Sequence, residues 1–302
     1  MRIVRTVLGD IEPGRLGLTY VHEHLILDSP IVAETFPHIY LPSVEEAVAE
    51  AETCREAGVT TMVDAMPYGR RYLEKLREVS RRTGMQIVAA TGLHTEKYYP
   101  DDTVVESARF SAAVAAGCGV FKAATGPEGI NSRALRLFTA MAETHLETGV
   151  PIITHCEDGH GAQAQVELLE ALDVPLDRVV ISHTDKVADP VYHRDILQTG
   201  VNLEYDQALR QAAGNQTTPE LLASMIEEGF LSQLMLGTDG ARRSLWRTLG
   251  GSPGLAYLAA EYPKVLEAHG IGQKELGELF VANPARWLTF ATTSVPPPRP
   301  PR

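Results

Sequence analysis

The 302-residue chain holds no apolar run near the ~20 residues that cross a bilayer, which excludes a membrane-spanning helix. Basic charge is scarce as well. Lysine and arginine number 27 against 39 acids, a net charge of −12, and a nucleic-acid partner needs the opposite balance. The cysteines, Cys54, Cys118 and Cys156, are few and far apart with no CxxC, so neither a disulfide framework nor a thiolate zinc site is read. A reducing, cytoplasmic setting is expected. From Met1 to Asp10 the apolar run is too short for a secretory signal, and an acid arrives early. No GxGxxG or phosphate loop follows the first predicted strand, which weakens a doubly wound open sheet as the architecture.

What is present alternates. Hydrophobic residues make up 44% and charged residues 22%, the profile of a globular chain with a substantial core. Short β-rich runs are read at Leu16–His22, Val59–Asp64, Gln86–Thr91, Gly119–Ala123, Pro151–His155, Val179–His183, Val201–Tyr205 and Leu234–Asp239. Several are almost uninterrupted apolar runs, as parallel strands buried on both faces require. Helical patterns lie between them, among them Ser43–Ala57, Arg70–Thr83, Thr103–Ala116 and Ser132–Thr148. Glycines 58, 84, 117, 149 and 200 stand where those helices should end. The pattern predicts an α/β protein, a single-domain (β/α)8 TIM barrel over residues 1–294. The segment from Asp28 to Pro42 is long enough to cover the barrel mouth. A Pro-rich flexible tail is expected over residues 295–302.

Residues with ligand chemistry recur at the predicted strand ends. In Val21-His22-Glu23-His24 the two imidazoles share a strand face while Glu23 points away, which makes a compact chelate for a divalent metal. Lys122 ends Gly119-Val120-Phe121-Lys122, His155 ends Ile152-Ile153-Thr154-His155, and His183 ends Val180-Ile181-Ser182-His183. Asp239 follows Met235-Leu236-Gly237-Thr238. Taken singly, each has an ordinary structural explanation. A strand-end histidine caps, an aspartate before glycine forms a turn, and a lysine snorkels to solvent. Six such residues at five strand ends form a convergent set that packing alone does not require.

The ordered set of HxH, Lys, His, His and Asp resembles the phosphotriesterase-like family of amidohydrolases, lactonase branch. The resemblance runs from Gly17-Leu18-Thr19 to Asn283-Pro284-Ala285-Arg286-Trp287-Leu288. It implies a binuclear-metal-dependent hydrolase. His22, His24 and Asp239 would bind one ion and His155 and His183 the second. N-carboxylated Lys122 and a hydroxide would bridge them, with zinc, manganese or cobalt as the metal. The chemistry is coherent. Only a neutral amine can take up carbon dioxide, and burial depresses a lysine pKa. Two ions generate hydroxide at neutral pH and polarise the scissile group, while Asp239 would act as general acid/base. The resemblance also favours a homodimer.

Substrate choice is expected in the loops. Arg210, Arg242 and Arg243 suggest an anionic group, since guanidinium pairs bidentately with phosphate or carboxylate. Pairing with local acids is the competing explanation. Lys186 and Lys97 are further candidates. His94 stands roughly where some lactonases of the family carry a tyrosine against the substrate, a departure that disfavours long acyl lactones. Loops after the last two strands also lack a long apolar stretch. A lactonase for a small polar or phosphorylated sugar lactone is therefore expected. The alternatives are an amidase of a small N-acyl compound, a phosphotriester or phosphoester hydrolase, or a non-catalytic binding barrel. His145 and His269 are expected to be solvent-exposed rather than ligands.

Overall fold

The computed structural model describes residues 1–67, 70–100 and 102–291, so the expected Pro-rich tail lies outside the described residues. A hairpin that the sequence reading did not anticipate comes first, β1 (Arg2–Thr6) and β2 (Gly9–Ile11). Eight parallel strands then follow in one sheet in chain order: β3 (Thr19–Glu23), β4 (Thr61–Asp64), β5 (Gln86–Gly92), β6 (Cys118–Thr125), β7 (Ile152–Cys156), β8 (Val179–Ser182), β9 (Asn202–Tyr205) and β10 (Leu234–Leu236). The ring closes where the Thr238 and Asp239 amides donate to the His22 carbonyl at 3.1 and 3.0 Å. A last strand, β11 (Phe290–Ala291), pairs with β1. This is the expected TIM barrel.

The helical connections are α1 (Pro30–Thr35), α2 (Val44–Glu56), α3 (Arg70–Thr83), α4 (Ser107–Ala115), α5 (Ser132–Thr148), α6 (Ala162–Ala171), α7 (Pro190–Leu197), α8 (Ala208–Gln211), α9 (Thr217–Glu227), α10 (Tyr257–Ala260), α11 (Tyr262–Ala268), α12 (Gln273–Gly277) and α13 (Asn283–Leu288). Local chemistry sets their ends. Ser43 accepts the Glu46 amide at 3.2 Å to start α2, and Asn131 accepts the Ala134 amide at 2.8 Å to start α5. Gly149, at φ 74°, closes α5 in the left-handed conformation that glycine adopts without penalty. The fourth helix is shorter than expected because Glu106 is still extended, at φ −143°.

Alternation along each strand sorts side chains into two cores. Val21, Val63, Val88, Val120, Ile153, Val180 and Met235 fill the barrel interior above Val4, Leu16 and Trp287. Tyr20, Met62, Ile87, Phe121, Ile152, Ile181, Leu203 and Leu236 face outward into the helix layer. Each fully buried aliphatic side chain contributes roughly 1.5–3 kcal/mol. A charge at Val120 would break the interior layer. The same alternation has a functional consequence. Lys122 lies two residues beyond Val120 and His155 two beyond Ile153, so both continue the inward rows upward from the apolar floor.

Two buried carboxylates fix loops at the mouth. Asp64, at the end of β4, accepts the Leu25 amide at 2.8 Å and so holds the chain just after His24. Glu50 on α2 accepts the Thr248 amide at 3.0 Å, its hydroxyl at 2.7 Å and the Leu255 amide at 2.9 Å. Thr248 and Leu255, in the long segment after β10, are therefore fastened to α2 through one side chain.

Candidate metal centre

Five barrel strands bring the six expected residues to the mouth. His22, Lys122 and His183 are almost completely buried, and His24 and His155 nearly so. The ring centroids of His22 and His24 lie 5.2 Å apart, those of His22 and His183 5.0 Å, and those of His155 and His183 4.5 Å. Lys122 Nζ is 3.4 Å from His22 Nε2, pointing inward and not to solvent. Asp239 Oδ1 lies 3.2 Å from His24 Nε2 and 4.0 Å from His22 Nε2.

Backbone conformation completes the convergence at two points. Alternation would carry His183 to the outer face after Ser182, but His183 adopts φ 69°, and Asp239 adopts φ 43°. Histidine and aspartate tolerate this left-handed region better than branched residues, and such conformations concentrate at functional sites. Gly237 is required nearby. A Cβ there would meet Glu204 Oε1 at 2.6 Å and the His22 backbone nitrogen at 2.8 Å.

The electrostatics favour neutral imidazoles beside fixed anions. Burial lowers His22 well below its usual value and lowers His24 too, and burial above all brings His155 down to about 3. Neutral imidazole is the form that ligates a metal. Burial also brings the Lys122 ammonium down to about 8 against the pull of Glu204 and Asp239. At Asp239 burial acts upward, yet the Arg210 charge and the His24 hydrogen bond outweigh it and hold the carboxyl well below the usual range.

Among the described residues, two groups present ligand atoms within 4.8 Å of one another: His22, His24 and Asp239, and His22, His183 and Asp206. The first is the expected trio. The second includes Asp206, which the sequence reading had not assigned to the metal, and does not include His155. His24 Nδ1 and His155 Nδ1 are buried without a protein partner. Buried, unsatisfied nitrogen next to carboxylates is what a cation site requires, so this donor set fits divalent metal.

Three carboxylates behind the histidines went unrecognised. His183 Nδ1 is 2.5 Å from Asp206 Oδ2, His22 Nδ1 is 3.3 Å from Glu204 Oε2, and His155 Nε2 is 2.9 Å from Glu157 Oε2. The signal existed for two of them. Acids at 204 and 206 frame the end of an apolar strand, where burial without a partner would be costly. Glu157 looks like an ordinary loop acid, and only the fold reveals its contact.

Above the cluster lies a cavity of about 340 Å³. His24, His94, His155, His183, Arg210, Asp239 and Arg242 line it, with His38, Lys97, Tyr98, Glu157 and Lys186. The expected cover materialises, because Leu27, His38 and Ile39 reach the lining from the segment after β3. The five residues expected at the substrate divide. His94, Lys186 and Arg242 reach the cavity, and neither Lys186 nor Arg242 is in an ion pair among the described residues. Arg210 reaches it with its guanidinium committed to Asp239 at 2.8 Å. Arg243 does not line it. Arg243 bonds the Tyr40 carbonyl and pairs with Glu46, both at 3.1 Å, so pairing with a local acid prevails there. The exposure expected for His145 is also wrong. His145 is buried, and its Nδ1 lies 2.8 Å from the Val150 carbonyl, tying α5 to the start of β7; His269 is half-buried.

A model of the Phosphotriesterase family matches residues 2–288. The phospho-furanose lactonase of Mycoplasmopsis synoviae is 26% identical over 96% of this chain and 92% of its own length. The N-acetyltaurine hydrolase of Danio rerio is 26% identical over 95% of this chain and 98% of its own. A lactonase structure from Listeria monocytogenes superposes with a TM-score of 0.88 at 27% identity, covering 96% of this chain and all, 100%, of that one. Strand order, the histidine cluster and these likenesses agree: the chain belongs to the phosphotriesterase family.

Proposed function

We propose that this hydrolase opens a small, polar, anionic lactone at a binuclear metal site. The observation that carries the reading is the convergence of His22, His24, Lys122, His155, His183 and Asp239 beneath a cavity of about 340 Å³ with free cations at its rim. His22, His24 and Asp239 would hold one ion, and His155 and His183 the other, with zinc the first candidate and manganese or cobalt the alternatives. When bound, the pair supplies an activated water and polarises the scissile carbonyl.

The side chains do the rest. Lys122 at about 8 has a useful neutral fraction at physiological pH. Its amine would bond to carbon dioxide and release a proton, giving a carbamate that is an anionic oxygen donor between the ions. Asp239 offers Oδ1 toward the histidines and would receive the proton released on that side. Lys186 and Arg242 would bind the substrate's anionic group, and the small volume sets its size. The His94 ring lies 4.4 Å from that of His155, tilted by 56°, and would face the lactone ring. Lysine and arginine are also where an N-acyl sulfonate or N-acyl amino acid would bind, which keeps an amidase as the second reading, in line with the Danio rerio relative. The protein would work in the cytoplasm as a homodimer.

One panel separates the readings: phosphorylated and neutral lactones, N-acyl amino acids and N-acyl sulfonates, and aryl phosphotriesters, each before and after chelation and add-back of zinc. The expected result is metal-dependent turnover with the highest kcat/KM on an anionic lactone. Highest kcat/KM on an amide would transfer the assignment to the second reading. Turnover untouched by complete metal removal would overturn both.

A further inference from the structure

Glu157 stands outside the ligand set yet lines the cavity with both carboxylate oxygens engaged. β7 ends at Cys156, and a tight turn over Glu157–Gly159, with Asp158 at φ 51°, folds the chain back over the strand end. That return places Glu157 Oε2 2.9 Å from His155 Nε2. The other oxygen, Oε1, accepts from Lys97 Nζ at 3.2 Å, out of the loop after β5. Each oxygen therefore has one partner, and the carboxylate plane is fixed from two sides.

Resting on the metal-site reading above, we infer that Glu157 is a positioning residue that fixes the His155 ring with hydrogen on Nε2 and the lone pair of Nδ1 turned to the metal pair. A carboxylate only accepts, so the short Nε2 contact places the ring hydrogen on Nε2. That leaves Nδ1 a bare acceptor, and it is buried without a protein partner. His22 is held the other way round, with Glu204 Oε2 3.3 Å from Nδ1, and Asp206 Oδ2 accepts the His183 main-chain amide at 3.2 Å beside that ring. The second ion would thus be held by Nδ1 of His155 together with His183, whose rings lie 4.5 Å apart, with Glu157 behind the first of them. Lys97 serves this arrangement by holding Glu157 and is not a free substrate cation.

Zinc titration against a competing chelator, with ¹⁵N NMR of the histidine ring nitrogens in the metal-free protein, tests the inference. Wild type should bind two zinc ions and show His155 protonated at Nε2. Glu157→Leu removes the acceptor. One of the two zinc affinities should fall about 10–100-fold, and the Nε2–H form of His155 should give way to a mixture. Glu157→Gln keeps an acceptor oxygen and should restore most of the affinity and the tautomer. Lys97→Met, at the exposed rim, should produce a smaller loss at the same ion. Two unchanged zinc affinities in Glu157→Leu, or an unchanged His155 tautomer, would overturn the inference while leaving the metal centre standing. Wild type that binds no zinc would instead sink the metal reading, and the NMR arm would still report whether Glu157 sets the ring.

Discussion

Arg210 grips Asp239 twice, donating to its main-chain carbonyl oxygen and to Oδ2, each at 2.8 Å. The clamp leaves Oδ1 turned to His24 and divides the carboxylate into a held oxygen and a working one. An arginine that the sequence offers as a substrate contact is thus paired with Asp239 instead.

Arg210→Met should lower kcat about 10–100-fold, the range for losing a hydrogen bond to a charged group. It should also move the acid limb of the pH–rate profile to higher pH. The Arg210 cation helps hold the Asp239 carboxyl down, so its loss raises that carboxyl and protonation begins earlier on acidification. A pH–rate profile of wild type and variant checks both; an unmoved acid limb would assign Arg210 to substrate binding instead.

Arg242→Ala should raise KM for an anionic lactone about tenfold and leave a neutral lactone nearly unaffected, because one charge-assisted hydrogen bond is at stake. Arg243→Ala should change neither KM and should cost at most about 1 kcal/mol of stability, as a partly exposed pair with Glu46 does. Steady-state kinetics on two lactones decide. Equal KM changes for charged and neutral substrates would remove the anion-binding role.

Lys122→Met should reduce kcat/KM by at least about a hundredfold and release metal, since it deletes the buried amine that lies 3.4 Å from His22 Nε2, the residue common to both ligand groups. Acetate or formate, supplied as a carboxylate in place of the missing carbamate, should recover part of the rate in Lys122→Ala. Metal analysis and rate recovery are the measurements; a variant retaining two ions and full activity would reject the bridging role.

His145 supplies a stability test far from the metal. Burial lowers its pKa, so in the folded chain it stays neutral where the unfolded chain, near 6.5, takes up a proton. Its contribution is therefore present above about pH 6.5 and is lost as pH falls toward the folded value. His145→Gln should be less stable than wild type at pH 7.5 by about 1 kcal/mol, with the gap narrowing at pH 5.5. Urea unfolding at both values checks the sign, and a gap that widens on acidification would contradict it.

The barrel was legible because burial on both faces leaves a written trace. Runs such as Val179-Val180-Ile181 can be little else than interior strands when helices and glycines punctuate them. His22, His24, Lys122, His155, His183 and Asp239 were legible as a set because the strand end is a fixed place in such a fold. Contacts between distant segments left no trace. Nothing in the sequence joins Lys97 to Glu157, sixty residues on, or tells Arg210 from Arg243. The first hairpin escaped because β1 gains its partners from β2 and from β11, at the far end of the chain. His145 misled for a related reason, since a polar residue on a helix looks exposed until the Val150 carbonyl is placed beside it.

Glu50 gives the fold an adaptive dimension. Its hydrogen bonds fall on main-chain amides and one threonine hydroxyl, so they are indifferent to the side chains between Arg242 and Trp246. Arg242, which lines the cavity outside any ion pair among the described residues, can change while the peg keeps the path of Thr248 and Leu255. Selection can then explore new substrates one rim residue at a time without first rebuilding the catalytic floor.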